Sequence, residues 1–144
     1  MRSWLLALGL LGCGCWLVTN GLTAKEDQPA PGLPEQLAKL GLADKTFTLI
    51  VEVKVKPESI KKMEALMVKA ATNTHKEPGC EMYDIHRDPA NPGTYYFLER
   101  FQGVKGLQAH LDTDYTKELL AAFGSEAASP PQIKIIEQFS PAKK

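Results

Sequence analysis

Residues 46–79 read TFTLIVEVKVKPESIKKMEALMVKAATNTHKEPG, and the change of period inside this stretch decides the fold. Phe47, Leu49, Val51, Val53 and Val55 alternate with Thr48, Ile50, Glu52, Lys54 and Lys56, the period of two that marks a half-buried strand. Pro57 stands where a first helical residue belongs, followed by Glu58. Ile60, Met63, Met67, Ala70 and Thr74 then recur at helical spacing, with Leu66 and Ala71 beside them. Pro78-Gly79 stops that helix.

Downstream the pattern returns to strands. Residues 80–87, CEMYDIHR, place Tyr83 and Ile85 on one face and Met82 and His86 on the other. The run Asp88-Pro89-Ala90-Asn91-Pro92-Gly93 is a dense turn signal. Residues 94–102, TYYFLERFQ, follow with Tyr95, Phe97, Glu99 and Phe101 on one face. Helical spacing restarts through Val104, Leu107 and Leu111, breaks at Asp112-Thr113-Asp114, and resumes through Tyr115, Leu119 and Phe123. A loop is expected from Gly124 through Pro131. Ile133, Ile135 and Phe139 then mark a last strand ending near Phe139. The order is β-α-β-β-α-β with a split second helix, an α+β, ferredoxin-like arrangement. It predicts a four-stranded antiparallel sheet with its helices on one face. The other sheet face also carries apolar and aromatic side chains, so a second copy packed sheet to sheet is expected.

Upstream, residues 4–18 read WLLALGLLGCGCWLV behind Arg2, an apolar run shorter than the roughly 20 residues that span a bilayer. Three readings stand for residues 1–24: a secretory signal cleaved near Ala24, a lipoprotein signal with Cys13 as the lipidated residue, or an uncleaved anchor. All three export the domain to a periplasmic or secreted location, tethered to the membrane in the last two. Residues 25–45 contain Pro29, Pro31 and Pro34 and read as a Pro-rich tether with at most a turn or two of helix before Leu42. The domain is expected over 46–140, with a tail at 141–144.

Lys+Arg and Asp+Glu number 17 each. A balanced chain lacks the basic surface of a non-specific nucleic-acid binder, so no nucleic-acid partner is expected. Of the three cysteines, Cys13 and Cys15 lie in the leader, which leaves Cys80 without a partner and reads it as a small buried apolar residue. The histidines at 75, 86 and 110 do not cluster, so no metal is expected. No phosphate-cradling Gly loop and no Gly-x-Ser-x-Gly elbow occur.

Glu77-Pro78-Gly79-Cys80 with Tyr83, then Glu99-Arg100-Phe101, Leu107-Gln108-Ala109-His110-Leu111 and Tyr115 together resemble the antibiotic biosynthesis monooxygenase family, including its bacterial quinol monooxygenases. The resemblance covers about residues 46–140. It implies a dimeric α+β barrel and oxygenation of electron-rich phenols, quinols or anthrones by O2 with no cofactor. Phe101 stands where the family often has Trp. The heme-degrading relatives use an Asn on the first strand and a Trp on the second helix, whereas this chain has Glu52 and His110 there, so heme degradation is not expected.

Within that frame His110 is the candidate base, since an imidazole suits proton removal near neutral pH. The plainer reading is a helix-edge His capped by a carbonyl or carboxylate. Glu99, among Tyr95, Phe97 and Phe101, is the second catalytic candidate, as a pocket acid or the group orienting His110. Its plainer reading is an ion pair with a Lys or Arg across the dimer. Tyr83, Phe97, Phe101 and Tyr115 are the candidate substrate contacts. The functional expectation is an exported, cofactor-independent monooxygenase acting on a small aromatic or quinol. The alternative is a non-catalytic, dimeric module of the same fold that binds a small ligand or serves a stress response.

Overall fold

The period-two stretch forms β1 (Thr46–Lys54), and the helical stretch forms a 3-10 turn at Pro57–Ser59 running into α2 (Ile60–Thr74). The computed structural model describes residues 32–140. The leader at 1–24, the first part of the tether and the tail at 141–144 lie outside the described residues. β2 (Cys80–Arg87) and β3 (Thr94–Gln102) make a hairpin across the predicted turn, where Asp88 accepts from the Ala90 and Asn91 backbones. α3 (Gly103–Leu111) and α4 (Asp114–Glu126) are separated at the predicted break, with the Thr113 side chain capping α4 by accepting from the Thr116 N–H. β4 (Gln132–Ile136) closes the sheet in the order β2-β3-β1-β4, every neighbouring pair antiparallel. This is the expected α+β, ferredoxin-like topology.

The register puts Phe47, Leu49, Val51 and Val53 opposite Phe101, Glu99, Phe97 and Tyr95. These side chains all point to the helix side of the sheet. Met63, Met67 and Ala70 of α2, Leu107 of α3, and Leu119 and Phe123 of α4 cover them. Phe97 meets Phe123 edge-on at 5.8 Å between ring centres, the geometry that the ring quadrupoles favour. On the opposite face, Ile50, Met82 and Leu98 are only half-buried.

The two helical layers approach closely at one point. A Cβ on Gly106 would lie 2.7 Å from the Gly79 carbonyl oxygen, and one on Gly79 would lie 2.7 Å from the Gly106 Cα. The Gly79 carbonyl also accepts from the Gln102 N–H at 2.9 Å. A side chain at either position would force the loop after α2 away from α3.

Three boundaries differ from expectation. Residues 33–45 are not a tether: α1 (Leu33–Lys39) buries Leu37 completely, Leu42 is buried too, and both join the core. The Ala43 carbonyl accepts from the Val104 N–H at 2.8 Å. The compact unit accordingly includes α1. Two buried leucines in a Pro-flanked segment show no period, so only their partners in the fold reveal the helix. α4 continues through Gly124 to Glu126, because Glu126 is held by Ser59 at 2.6 Å and Lys62 at 2.5 Å. β4 ends at Ile136 rather than near Phe139, which stands fully exposed.

Leu37 tests the correction. Leu37→Ala is expected to lower stability by about 2–5 kcal/mol in urea denaturation, the usual range for emptying a core leucine site. A loss below about 0.5 kcal/mol is what a surface tether would give.

Candidate functional site

A cavity of about 230 Å³ lies between the helix side of the sheet and helices α3 and α4. Its walls are mostly apolar, with Leu49, Val51, Phe97, Leu107 and Leu119 among them, and the exposed Leu120 and Ile133 lie at its rim. Four polar side chains line it: His110, Glu99, Thr116 and Tyr83.

His110 is on the inner side of α3, 3% exposed. Its ring sits between Tyr83, 5.2 Å away, and Phe101, 5.1 Å away. Nδ1 faces the Glu77 carboxylate, 2.9 Å from Oε1 and 3.2 Å from Oε2. Glu77 is itself held in the turn after α2, its N–H donating to the Thr74 carbonyl at 3.0 Å. The Tyr115 hydroxyl donates to the same Glu77 Oε1. A carboxylate only accepts, so the neutral imidazole keeps its proton on Nδ1 and its lone pair on Nε2. The Thr116 hydroxyl is 3.4 Å from Nε2, too long for a strong hydrogen bond. The arrangement is a carboxylate-oriented imidazole whose second nitrogen has the Thr116 hydroxyl as its neighbour, in a residue that lines a mostly apolar cavity.

Glu99 is the carboxyl of the cavity. It is 8% exposed on the helix side of β3, between Leu49 and Tyr83 in the register. Among the described residues its carboxyl has no hydrogen-bond or ion-pair partner. Burial, reinforced by the Glu77 charge, pushes its pKa up to about 8, so the neutral acid predominates at pH 7. One expectation is thereby corrected: Glu99 does not orient His110, because Glu77 does. The expected ion pair across a dimer concerns a second copy of the chain; within the described residues Glu99 pairs with no cation.

The aromatic candidates divide by position. Tyr83 and Phe97 line the cavity. Phe101 backs the His110 ring, and Tyr115 binds Glu77, so these two support the site from behind rather than contact its contents. Burial and the Glu99 charge raise the Tyr83 phenol far above its ordinary range, and burial with the Glu77 hydrogen bond raises that of Tyr115. Both therefore act as neutral hydroxyls. Cys80 is half-buried and burial pushes its thiol up to about 11, which keeps it protonated. His75 lies within 2.7 Å of the Tyr83 carbonyl, and His86 is exposed. Among the described residues no three His, Cys, Asp or Glu side chains converge on a metal-sized site.

The residue that sequence reasoning missed is Glu77. It sits in a turn, outside any helical or strand period, and its meeting with His110, 33 positions away, is a tertiary event. Its only signal was its place in the Glu-Pro-Gly-Cys run.

The family model described as antibiotic biosynthesis monooxygenase matches residues 46–122. An uncharacterized protein of Synechocystis sp. is 28% identical over 107 residues, covering 74% of this chain and 71% of the relative. A crystal structure from Caulobacter crescentus, named as a proposed antibiotic biosynthesis monooxygenase, is 26% identical with a TM-score of 0.64, over 72% of this chain and 98% of that one. A structure from Mycobacterium tuberculosis has the same fold at 20% identity and a TM-score of 0.64, over 69% of this chain and all of that one.

The raised pKa of Glu99 has a consequence for stability. The folded chain holds this proton up to about pH 8, whereas the unfolded chain releases it near 4.5. The native state therefore binds more protons between those values, and the contribution of Glu99 to stability falls as pH rises through that window. Glu99→Gln removes the titration. Its melting temperature is expected to gain on wild type from pH 5 to pH 8.5 by more than about 5 °C. Parallel melting curves of the two proteins across pH would contradict the buried, unpaired carboxyl.

Proposed function

The chain belongs to the antibiotic biosynthesis monooxygenase family, and on that premise we propose that it oxidises a small quinol-type aromatic with O2, without metal or flavin, using His110 as the base. The observation that carries the proposal is the His110 imidazole, held by Glu77 through Nδ1 in a residue that lines a mostly apolar cavity. Cavity size limits the substrate. A cavity of roughly 150 Å³ accepts benzene, so about 230 Å³ suits one ring or two fused rings rather than three.

In the proposed reaction His110 Nε2 takes a hydroxyl proton from the quinol. The phenolate gives one electron to O2, and the superoxide and ring radical couple to form a C–O bond. The protonated His110 returns its proton to the peroxide oxygen. The O–O bond then breaks as the ring carbon loses its hydrogen, and one water leaves. Quinol plus O2 thus becomes hydroxyquinone plus water, with every atom accounted for and all electrons drawn from the substrate. The protein supplies orientation, proton removal and exclusion of water. Glu77 holds the imidazole tautomer by accepting from Nδ1.

The second reading, ligand binding without turnover, draws on the apolar walls and on Thr116 sitting beside Nε2. Oxygen uptake with naphthalene-1,4-diol separates the two. Wild type is expected to consume O2, and His110→Ala to lose at least about 100-fold in rate, the lower bound for a general base. High pH should restore part of the loss by ionising the substrate. Uptake no faster than the uncatalysed reaction would favour the binding module, and near-full activity of His110→Ala would remove the proposed base.

The half-buried Ile50, Met82 and Leu98, with the exposed Ile136 and Phe139 nearby, support a homodimer joined through this sheet face. The apolar run behind Arg2 supports export. Native mass spectrometry of protein recovered from the producing cell tests both. The expected species is a dimer of chains lacking residues 1–24, or beginning at a lipidated Cys13, or intact in the membrane fraction. A cytosolic monomer that keeps Met1 would refute both proposals.

A further inference from the structure

His110 accounts for one side of the cavity, and Glu99 is the polar group that the reaction above leaves unused. Among the described residues no fully enclosed side-chain nitrogen or oxygen lacks a hydrogen-bond partner. The Glu99 carboxyl has no partner, so its oxygens look into the open volume of the cavity rather than into packed protein. Phe101, which backs His110, is two residues along β3 from Glu99 on the same face. Same-face positions on a strand are about 7 Å apart. The acid and the imidazole therefore belong to one cavity lining, linked through Tyr83, which is the cross-strand neighbour of Glu99 and the ring neighbour of His110.

We propose that the unpartnered Glu99 carboxyl donates a hydrogen bond to a second oxygen of the ligand, so that the site selects rings bearing two oxygen functions on opposite sides, a hydroxyl toward His110 and an acceptor toward Glu99. The proposal rests on the quinol reading and narrows it. A ring with a hydroxyl alone leaves the Glu99 acid unpaired, and a ring with a second negative charge meets the carbonyl and lone pairs of an acid that faces no cation. During oxidation the second oxygen of a quinol becomes a carbonyl, a better acceptor, so the Glu99 bond strengthens as electrons leave the ring. That is the direction in which binding helps a reaction forward.

The groups facing Glu99 set how it titrates. Glu77 lies beyond the His110 ring, the thiol of Cys80 and the phenol of Tyr83 stay neutral, and α3 and α4 present His110 and Thr116. No lysine or arginine joins them in lining the cavity among the described residues. Donation by Glu99 should therefore fail as pH rises through about 8.

Two ligands that do not react with O2 test this by calorimetric titration. 4-Hydroxyacetophenone carries a hydroxyl and an opposite carbonyl, and 4-methylphenol carries the hydroxyl alone. Glu99→Gln keeps a donor that does not titrate, and Glu99→Leu has none. Comparing variants with the same ligand at the same pH cancels ionisation of the ligand. For the ketone, wild-type affinity is expected to match Glu99→Gln at pH 7 and to fall about tenfold below it at pH 9, as the binding-competent fraction of Glu99 shrinks. For 4-methylphenol the ratio should not change with pH, and Glu99→Leu should lose the preference for the ketone at both pH values. A wild-type to Glu99→Gln ratio independent of pH, or the same ratio change for both ligands, would overturn the role of Glu99 and leave His110 as the base untouched. Failure of both ligands to bind would remove the cavity reading itself and this inference with it.

Discussion

Two glycines in backbone contact, Gly79 and Gly106, set how close the turn after α2 comes to α3. Both ends of the Glu77–His110 pair are measured from that contact. Glu77 lies two residues before Gly79, and His110 lies one helical turn after Gly106 on the same face of α3. With the backbones touching, the carboxylate reaches Nδ1 at 2.9 Å without a bridging group. Any side chain at the crossing would separate the two helical layers and lengthen that bond. It would also loosen the aromatic sandwich that holds the ring, because Tyr83 and Phe101 belong to the strands beginning and ending at the same crossing.

The same geometry divides the two carboxyls by role. Glu77 accepts from His110 and Tyr115. Glu99 has no such donors, faces apolar walls, and is pushed toward the neutral acid by burial and by the charge of Glu77. Two residues of one type thus meet different surroundings, one held by two donors and the other without a partner among the described residues. The apolar lining of the cavity sharpens the contrast, since charges and hydrogen bonds are screened least where water is excluded.

The two faces of the sheet carry different side chains. Its helix side carries the aromatic core, the cavity and the ionisable groups. Its open side carries Ile50, Met82 and Leu98, with Arg100 donating to Thr48 among them. A strand sends alternate residues to opposite faces, so Glu99 and Leu98, or Tyr83 and Met82, serve different surfaces although adjacent in the chain. A one-residue slip in register would exchange the two sets, which ties the identity of the cavity to the pairing of β1 with β3.

Period alone determined most of the architecture. The switch from alternation at 46–55 to helical spacing at 60–74, the aromatic strand at 94–102 and the break at 112–114 yield the element order, the buried faces and the placement of His110 and Glu99 on inward sides. Those features are local, and local stereochemistry writes them into the sequence. What the tertiary structure alone decided is which inward groups meet. Glu77 lies in a turn without period, Leu37 sits in a segment whose prolines read as a tether, and Glu99 differs from an ion-paired glutamate only in having no partner. Each of these depends on chain segments brought together from far apart, such as the 33 positions between Glu77 and His110. Spacing along a strand or helix says where a side chain points, but not what it will find there.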